Sequence, residues 1–295
     1  MEEPSLRLAV ALNGYGLEQA DGTRDVLPWE EVAGLARFAE ELGYEAVFTP
    51  EIGGWEAFTL LSGIATGTER IGLASGVVPL SARDPQRLAM GAASLQAVSG
   101  GRFALGVGSR WSIARTRGAL EQLRGMIAEG RETDWAGNPH PSPIYLAALG
   151  PRMTELAGEM ADGVILNWCT PERVAAARKA IPPREGFTIA VYVRACLSHV
   201  DAHADEALRI AASRYAGMEP YRRQLEAMGV EASDIETVVA RTCVRGERAE
   251  VLSRLADYAR AGADVVVVYP VAAGEAVSSL TGTLMAAAPD GGLEE

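Results

Sequence analysis

Short apolar runs alternate with longer helical patterns along the whole chain, and this alternation constrains the fold more than any other feature. The runs are rich in Val, Ile and Leu and show little polar alternation, which is typical of strands buried on both faces of a parallel sheet. Between the runs, apolar residues recur at helical spacing, often behind a Pro that suits a first helical turn. The predicted strands cover residues 6–12, 45–49, 71–78, 102–108, 144–148, 163–167, 188–197 and 264–269.

Eight strands that are each followed by a helix predict an α/β fold, a single (β/α)8 TIM barrel, rather than a doubly wound sheet. We expect small insertions after strands 4 and 7, the second of them within residues 218–245. Neither a composition shift nor a linker divides the chain. One domain is therefore predicted over residues 1–295, with a frayed tail at about 289–295.

The acidic charge and the sparse cysteines argue against several classes of protein. The chain has 27 basic and 39 acidic residues and a net charge of −12, so it has no positive field to attract nucleic acid or an anionic membrane. Three cysteines form no disulfide framework, as expected in a reducing cytosol. The first residues lack the basic start of a signal peptide, and no apolar stretch approaches the ~18 residues of a membrane span. We expect a soluble cytoplasmic protein.

The chemistry of a barrel enzyme belongs to the loops that follow the strands. Glu51, after the second strand, is a carboxylate among Gly and aromatic residues that can serve as acid, base or polar anchor; a solvated rim carboxylate is the alternative. After the fourth strand comes Gly106-Val107-Gly108, with Trp111 in the place of a third glycine. This run either admits a flat ring system or eases the strand out of the barrel.

Gly150, Pro151 and Arg152 open a predicted helix after the fifth strand. Free amides at a helix N-terminus attract phosphate and Arg152 adds a positive charge, although Pro151 donates nothing. Helix initiation alone is the alternative. His199 and His203 are four residues apart, but they lie at a predicted helix start without an HExxH context, so no metal site is predicted.

Several stretches of the chain resemble the bacterial luciferase-like superfamily of flavin and deazaflavin oxidoreductases. The strongest, residues 71–108, reads IGLASGVVPLSARDPQRLAMGAASLQAVSGGRFALGVG and contains a helix that ends in a Ser-x-Gly-Arg-Phe turn. Residues 50–65, 143–168 and 217–229 agree in the same order, so the resemblance covers nearly the whole chain. The stretches LAALGPRM and ADGVILNWCTPERV are similar to the actinobacterial members that use coenzyme F420, a deazaflavin.

The resemblance implies a homodimeric TIM barrel with a small-molecule substrate and a cofactor at the C-terminal mouth. A bulge in the third strand, often with a non-prolyl cis peptide in the family, backs the cofactor ring, and the segment at Gly150 holds its phosphate. Glu51 corresponds to the strand-two His or Glu and is the implied catalytic residue. The predicted cofactor-binding residues are Asn13, Ser75, Gly76, Val77, Gly108, Leu149, Gly150, Pro151 and Arg152, and the predicted substrate-pocket residues are Tyr15, Trp55, Arg110, Asn167 and Trp168.

One departure from the family pattern concerns the loop between the fourth strand and its helix. Relatives usually carry a longer loop there, as part of a lid over the cofactor, whereas only residues 109–114 separate the two elements here. We predict a coenzyme F420-dependent oxidoreductase that transfers a hydride between the deazaflavin and an organic substrate. An FMN-dependent monooxygenase and a non-catalytic flavin-binding or cofactor-free relative remain as alternatives.

Overall fold

The computed structural model describes residues 6–132, 141–197 and 201–289, in which strands and helices alternate. The strands are β1 (Leu8–Ala11), β2 (Tyr15–Glu18), β3 (Arg24–Val26), β4 (Ala46–Thr49), β5 (Gly72–Ser75), β6 (Val78–Pro79), β7 (Phe103–Gly108), β8 (Ile144–Ala147), β9 (Gly163–Asn167), β10 (Thr188–Ala195), β11 (Cys243–Val244) and β12 (Val265–Pro270). The helices are α1 (Trp29–Glu41), α2 (Ala57–Gly67), α3 (Pro85–Val98), α4 (Ile113–Glu132), α5 (Pro151–Met160), α6 (Pro171–Ala180), α7 (Asp201–Ala216), α8 (Glu219–Ala227), α9 (Ile235–Thr242), α10 (Arg248–Arg260) and α11 (Ala276–Ala286).

Eight parallel strands within the described ranges close into a barrel. Hydrogen bonds join neighbours in the order β1, β4, β5, β7, β8, β9, β10 and β12. The ring closes where β12 pairs with β1, with Leu8 beside Val266. Closure satisfies the backbone groups that an open sheet would leave at its edges. The predicted (β/α)8 TIM barrel is confirmed.

The barrel interior is filled by side chains that point inward from alternate strand positions. Ala9 and Ala11 of β1 belong to this inward-pointing set, together with the larger rings of Phe48 and Tyr192. The two rings meet edge to face, with their centroids 6.0 Å apart. The interior is therefore a packed core and not a pore, as in other barrels of this type, and a ligand is expected at the carboxyl ends of the strands.

The Ser-x-Gly-Arg-Phe turn, which belongs to the stretch with the strongest family resemblance, has a structural role. The guanidinium of Arg102 donates to the carbonyls of Ser99 (2.7 Å), Ile71 (2.8 Å), Ala65 (2.8 Å) and Thr68 (3.1 Å). Three of these carbonyls lie at the C-terminal ends of α2 and α3, where a helix leaves its last carbonyls without partners. Arg102 thus ties two helix ends to the start of β7.

Extra helices follow the seventh barrel strand, as predicted. Helices α8 and α9 and the short strand β11 lie within residues 218–245, and β11 pairs with β10. Together with α7 they form a second apolar cluster around Trp168, Leu208 and Leu225. After the fourth barrel strand, α4 begins at Ile113, and residues 133–140 lie outside the described residues, as does most of the predicted tail. In the described part of the chain no helix is long and apolar enough to cross a membrane.

Candidate active site

The third barrel strand is interrupted between β5 and β6, at the segment expected to back a cofactor ring. The peptide between Gly76 and Val77 is cis, as the family resemblance implies. The amide of Gly76 donates to the carbonyl of Thr49 at 2.8 Å, and the amide of Glu51 donates to the carbonyl of Val77 at 3.2 Å. These bonds join the interruption to the loop after β4 and place Glu51 beside it.

The glycines of β7 make room for this interruption. A Cβ atom on Gly106 would lie 1.9 Å from the carbonyl oxygen of Ser75, and one on Gly108 would lie 2.6 Å from Val77 Cγ2. The Gly-Val-Gly run therefore allows β7 to pack closely against the interrupted third strand, a reason that the sequence does not indicate. The Ser75 hydroxyl donates to the Gly106 carbonyl and accepts from its amide, both at 2.9 Å. Because this fully buried hydroxyl is already used, the Ser75 side chain is not available to bind a cofactor.

Gly76 faces the barrel interior rather than open space. The Tyr192 hydroxyl donates to the Gly76 carbonyl at 2.9 Å, and a Cβ atom at position 76 would lie 1.9 Å from that hydroxyl oxygen. Burial raises the pKa of Tyr192 well above its ordinary value, so the phenol stays protonated as a donor. A side chain at position 76 would therefore meet Tyr192, whose phenol fills the space beside the Gly76 Cα.

The Glu51 carboxylate is held by Arg83, a residue that the sequence does not predict. Nη1 and Nη2 of Arg83 donate to Oε1 and Oε2 of Glu51 at 2.9 and 2.6 Å, a bidentate pair. Arg83 also contacts Glu56. Burial raises the pKa of the Glu51 carboxyl; the amide of Ala57 and the charge of Arg83 oppose this effect, and Glu56 adds to it. Glu51 is thus a half-buried, oriented carboxyl rather than a solvated rim group.

Four polar side chains follow one another around the mouth, at the carboxyl ends of β9, β10, β12 and β1. Arg194 Nη1 donates to Asn167 Oδ1. The guanidinium carbon of Arg194 lies 4.5 Å from the centre of the Tyr269 ring. The Tyr269 hydroxyl accepts a 2.6 Å hydrogen bond from Asn13 Nδ2. The sequence predicts the two asparagines as site residues but neither Arg194 nor Tyr269.

Trp168, predicted to line the substrate pocket, is buried instead. Only 1% of its surface is exposed. Its ring lies 5.0 Å from that of Tyr215 and 4.4 Å from the guanidinium carbon of Arg194. The indole N–H is buried with no hydrogen-bond partner among the described residues. The helices after β10 cover this side of the mouth, which the sequence alone does not indicate.

Trp55 and Tyr15 hold the loops after β4 and β1 together. The rings of Trp55 and Trp29 lie 6.3 Å apart, and a Cβ atom on Gly14, whose φ is 76°, would lie 2.3 Å from the Trp55 indole. The Tyr15 hydroxyl reaches the Ile52 carbonyl at 3.4 Å. Both predicted pocket residues therefore have a structural role at the rim, and each is only half-buried.

The start of α5 is the segment that the sequence predicts as a phosphate anchor. Gly150 is the N-cap residue, with Pro151 at the first helical position, and no side chain of the described residues caps the helix. Arg173 fixes the preceding backbone by donating to the Leu149 carbonyl at 3.4 Å. Arg152 is exposed. Open first-turn amides and a nearby guanidinium fit a phosphate group.

The connection between β7 and α4 is short, as the sequence predicts. The strand ends at Gly108 and the helix begins at Ile113. The guanidinium carbon of Arg115, in the first turn of α4, lies 4.1 Å from the centre of the Trp111 ring, and Arg110 is exposed at the rim. This loop has too few residues to cover the mouth.

The other reactive side chains form no second centre. No group of three or more His, Cys, Asp or Glu in the described residues is arranged to hold a metal ion, and His199 lies outside those residues. Cys169, Cys196 and Cys243 are free and buried. Burial raises the pKa of the Cys169 thiol to about 12 and of the other two to about 11, so they are poor nucleophiles near neutral pH.

Comparison with known proteins gives a family and several relatives. A family model described as luciferase-like monooxygenase matches residues 10–265. A protein of Mycobacterium tuberculosis, Rv3520c, described as a candidate coenzyme F420-dependent oxidoreductase, is 30% identical over 208 residues. The 5,10-methylenetetrahydromethanopterin reductase of Methanolobus tindarius is 30% identical over 179 residues. The matches cover 57% and 52% of this chain, which spans 57% and 55% of the lengths of these two relatives.

Solved structures share the fold at lower sequence identity. The coenzyme F420-dependent tetrahydromethanopterin reductase from Methanopyrus kandleri superposes with a TM-score of 0.73 at 18% identity, over 96% of this chain and 97% of that one. An F420-dependent secondary alcohol dehydrogenase superposes with a TM-score of 0.72 at 15% identity, over 96% of this chain and 99% of that one. These matches extend the barrel assignment across the chain and say nothing by themselves about substrate.

Proposed function

Because the chain belongs to the luciferase-like monooxygenase family, we propose that it is a coenzyme F420-dependent oxidoreductase that transfers a hydride between the deazaflavin and a small organic substrate. The two curated relatives at 30% identity support this: one is described as F420-dependent, and the other is a reductase. When bound, F420 supplies the hydride chemistry at C5 of its ring, and the protein supplies position and electrostatics.

The structural observation that carries the proposal is the open start of α5 at the barrel mouth. Its uncapped amides and the exposed Arg152 are suited to the phosphate of F420. In a chain of net charge −12 an anionic cofactor needs such a local positive site, since the long-range field repels it. We assign the phosphate to the segment from Leu149 to Arg152.

The interrupted third strand supplies the surface for the cofactor ring. Val77 is half-buried, next to the half-buried Gly108 of β7. Asn13 lies across the mouth at the end of β1. We assign the ring to the face formed by the Gly76–Val77 peptide, Val77 and Gly108, with backbone rather than charged groups behind it, and we leave Ser75 out because its hydroxyl is bonded to Gly106.

Glu51 is the group that we assign to proton handling or substrate anchoring. Burial raises the pKa of its carboxyl, which brings a carboxylic acid closer to the range where it exchanges protons near neutral pH. Arg83 fixes both carboxylate oxygens, so it positions Glu51 without itself being a catalytic residue. Arg110 and Asn167 remain the proposed substrate contacts on the open part of the rim.

The proposal is tested by titrating the purified protein with F420 and with FMN in parallel equilibrium dialysis. F420 is expected to bind more tightly. Co-purification of tightly bound FMN, with no F420 retained, would favour the second candidate, an FMN-dependent monooxygenase, which the description of the matching family supports. Binding of neither cofactor would favour a cofactor-free relative and overturn the proposal.

The proposal extends to assembly and location. Large apolar side chains are exposed on the outer face of α3, at Met90 (36%) and Val98 (51%), and a second copy of the chain covering this face would bury them. The three free cysteines are compatible with a reducing cytoplasm. We therefore propose a cytoplasmic homodimer, to be checked by sedimentation equilibrium of wild type and of Val98→Asp, which is expected to shift the equilibrium toward monomer.

A further inference from the structure

Arg194 is a buried guanidinium with very few partners. It points from β10 toward the barrel mouth, and 3% of its surface is exposed. Its single hydrogen bond within the described residues goes to Asn167 Oδ1. Arg102 is less buried, yet it donates to four backbone carbonyls and to the Thr68 hydroxyl. Arg102 thus uses most of its N–H donors, whereas most N–H donors of Arg194 have no acceptor among the described residues.

Aromatic rings surround Arg194 without neutralising its charge. Its guanidinium carbon lies 4.4, 5.0 and 4.5 Å from the ring centres of Trp168, Tyr215 and Tyr269. Such contacts stabilise a cation, but a ring face does not replace the hydrogen bonds that guanidinium N–H groups lose on leaving water. We call Arg194 and these three rings the Arg194 cage.

Positive charge exceeds negative charge around the Arg194 cage. The neighbouring carboxylate is Glu18, which acts on Tyr269 from the β2–β3 hairpin. Both of its oxygens are already engaged, one by Arg24 at 3.1 Å and the other by Arg214 at 2.6 Å. Two guanidinium groups are thus paired with Glu18, and the one hydrogen bond that Arg194 makes among the described residues goes to the neutral Asn167, although the chain as a whole carries a charge of −12.

A second buried donor lies in the same cage. The Trp168 indole N–H is buried and has no hydrogen-bond partner in the part of the chain that the structure describes. Buried polar groups are almost always hydrogen-bonded and a buried charge is normally paired, because a group that leaves water without a partner loses its hydrogen bonds uncompensated. Arg194 and Trp168 thus hold buried donors whose hydrogen-bonding capacity the described residues do not fill.

We propose that Arg194 binds an oxyanion of the substrate, a carboxylate or a phosphoryl group, at the end of β10. This assignment rests on the proposed function, since it names the substrate class of the same barrel mouth. The oxyanion would accept from the free guanidinium N–H groups, which form a planar fork that matches carboxylate and phosphate oxygens. Asn167 and Tyr269, both half-buried, line the approach from the mouth.

The Arg194 site is separate from the proposed cofactor phosphate site. Arg194 extends from β10 into the mouth, whereas Arg152 lies on the outer rim at the start of α5, after β8. A third cation, Arg110, acts on the Tyr221 phenol, whose hydroxyl accepts from Asn167 Nδ2 at 3.2 Å. Two guanidinium groups, those of Arg194 and Arg110, therefore act on the Asn167–Tyr221 pair, which favours an anionic substrate there.

The test measures anion binding to the protein without cofactor. Inorganic phosphate and succinate are titrated separately into wild type, Arg194→Met and Arg87→Met by calorimetry, with ionic strength held constant by KCl. Arg87 is an exposed arginine of α3 and serves as the charge-matched control. Wild type is expected to bind at least one of the two anions saturably. Which anion binds shows whether the site takes a phosphoryl or a carboxylate group.

Loss of Arg194 should weaken that binding by about 10- to 150-fold, which corresponds to about 1.5–3 kcal/mol for a hydrogen bond to a charged group. Arg87→Met should bind like wild type. The proposal is overturned if neither anion binds wild type saturably, or if Arg194→Met binds as well as wild type.

Met is chosen because an apolar side chain of similar length commonly replaces a buried charge without loss of the fold. Arg194→Lys, which keeps the charge but loses the fork, is expected to fall between the two and serves if the Met variant does not fold.

A parallel F420 titration separates this inference from the proposed function. Arg194→Met is expected to bind F420 like wild type, whereas Arg152→Ala is expected to bind it more weakly. An equal loss of F420 affinity in Arg194→Met would assign Arg194 to the cofactor and overturn the inference. If wild type binds no F420, the proposed function fails, but the phosphate and succinate arms still decide whether Arg194 is an oxyanion site.

Discussion

The Tyr192 hydroxyl donates a 2.9 Å hydrogen bond to the Gly76 carbonyl, from β10 across the barrel interior to the interruption of the third strand. The same oxygen stands where a side chain at position 76 would begin, 1.9 Å from an ideal Cβ. The two residues therefore depend on each other: the absent side chain admits the phenol, and the phenol satisfies a buried carbonyl. The absence of a side chain at Gly76 is therefore needed for the stability of the barrel interior.

Gly76→Ala is expected to destabilise the protein by about 1–3 kcal/mol, because the methyl group collides with the Tyr192 oxygen in a packed interior. Replacing Tyr192 by Phe removes that oxygen, and the next atoms, Tyr192 Cζ and Phe48 Cδ1, lie 3.1 and 3.2 Å from the Cβ position. The double variant should therefore be less destabilised than the sum of the two single variants. Urea unfolding of all four proteins gives the coupling. Strictly additive losses would contradict the packing described here.

Arg152→Ala is expected to lower F420 affinity by about 10- to 150-fold, equivalent to about 1.5–3 kcal/mol for one charge-assisted contact. The loss should shrink as salt rises, because screening weakens the contact already present in wild type. Equilibrium dialysis at low and high KCl measures both effects. Lys179→Ala, an exposed cation in the last turn of α6, is the control and should bind like wild type. Unchanged affinity of Arg152→Ala at low salt would reduce this segment to a helix start.

The stability difference between wild type and Glu51→Gln should depend on pH. Burial raises the pKa of Glu51 in the folded protein, so the folded state binds the proton more tightly than the unfolded chain. The contribution of this carboxyl is then complete below its unfolded pKa, about 4.3, and is lost as pH rises through the folded pKa. Wild type should therefore lose stability relative to Glu51→Gln across that window, as measured by urea unfolding at a series of pH values.

Arg83→Met tests the other half of the pair. Removing the guanidinium removes an influence that lowers the pKa of Glu51. In an Arg83→Met background, the pH range over which Glu51 loses its stabilising contribution relative to Glu51→Gln should therefore move to higher pH. A window that moves down, or that does not move, would show that Arg83 does not control the carboxyl. The same background should lower the order of the loop after β4, because Arg83 bridges Glu51 and Glu56.

Arg102→Lys is expected to destabilise the protein by about 2–4 kcal/mol, because an ammonium group cannot reproduce the donors that bond to Ala65, Thr68, Ile71 and Ser99 and each lost bond contributes about 0.5–1.5 kcal/mol. Arg70→Lys, at a nearby exposed arginine, should be neutral within experimental error. The folded fraction of Arg102→Lys should bind F420 like wild type, since Arg102 precedes β7 and lies at the end of the barrel opposite the mouth. A loss of affinity without a loss of stability would contradict this structural role.

The barrel, its closure and the helices after the seventh strand follow from the sequence because they depend on periodic apolar patterns that persist over many residues. The positions of Glu51 and of the α5 start follow too, since the carboxyl ends of parallel strands meet at one mouth. Arg83 and Arg194 do not follow, because their roles arise from contacts between segments far apart in the chain. Trp168 is misplaced for the same reason: only the packed helices after β10 show that they bury it.

The pairing of Leu8 with Val266 has a consequence for the order in which the molecule can assemble. Most neighbouring strands of the ring are joined by one helix, as β1 and β4 are where Val10 meets Val47. The number of residues between Leu8 and Val266 equals the number between Val10 and Val47 doubled about three times. Closing this longer loop therefore costs about 2 kcal/mol more in chain entropy. Pairs of neighbouring strands that are joined by one helix can therefore form early, and the pairing of β12 with β1 is the last to become favourable. Amides of Ala9 and Val266 should accordingly gain protection from hydrogen exchange later during refolding than those of Leu73 and Leu105.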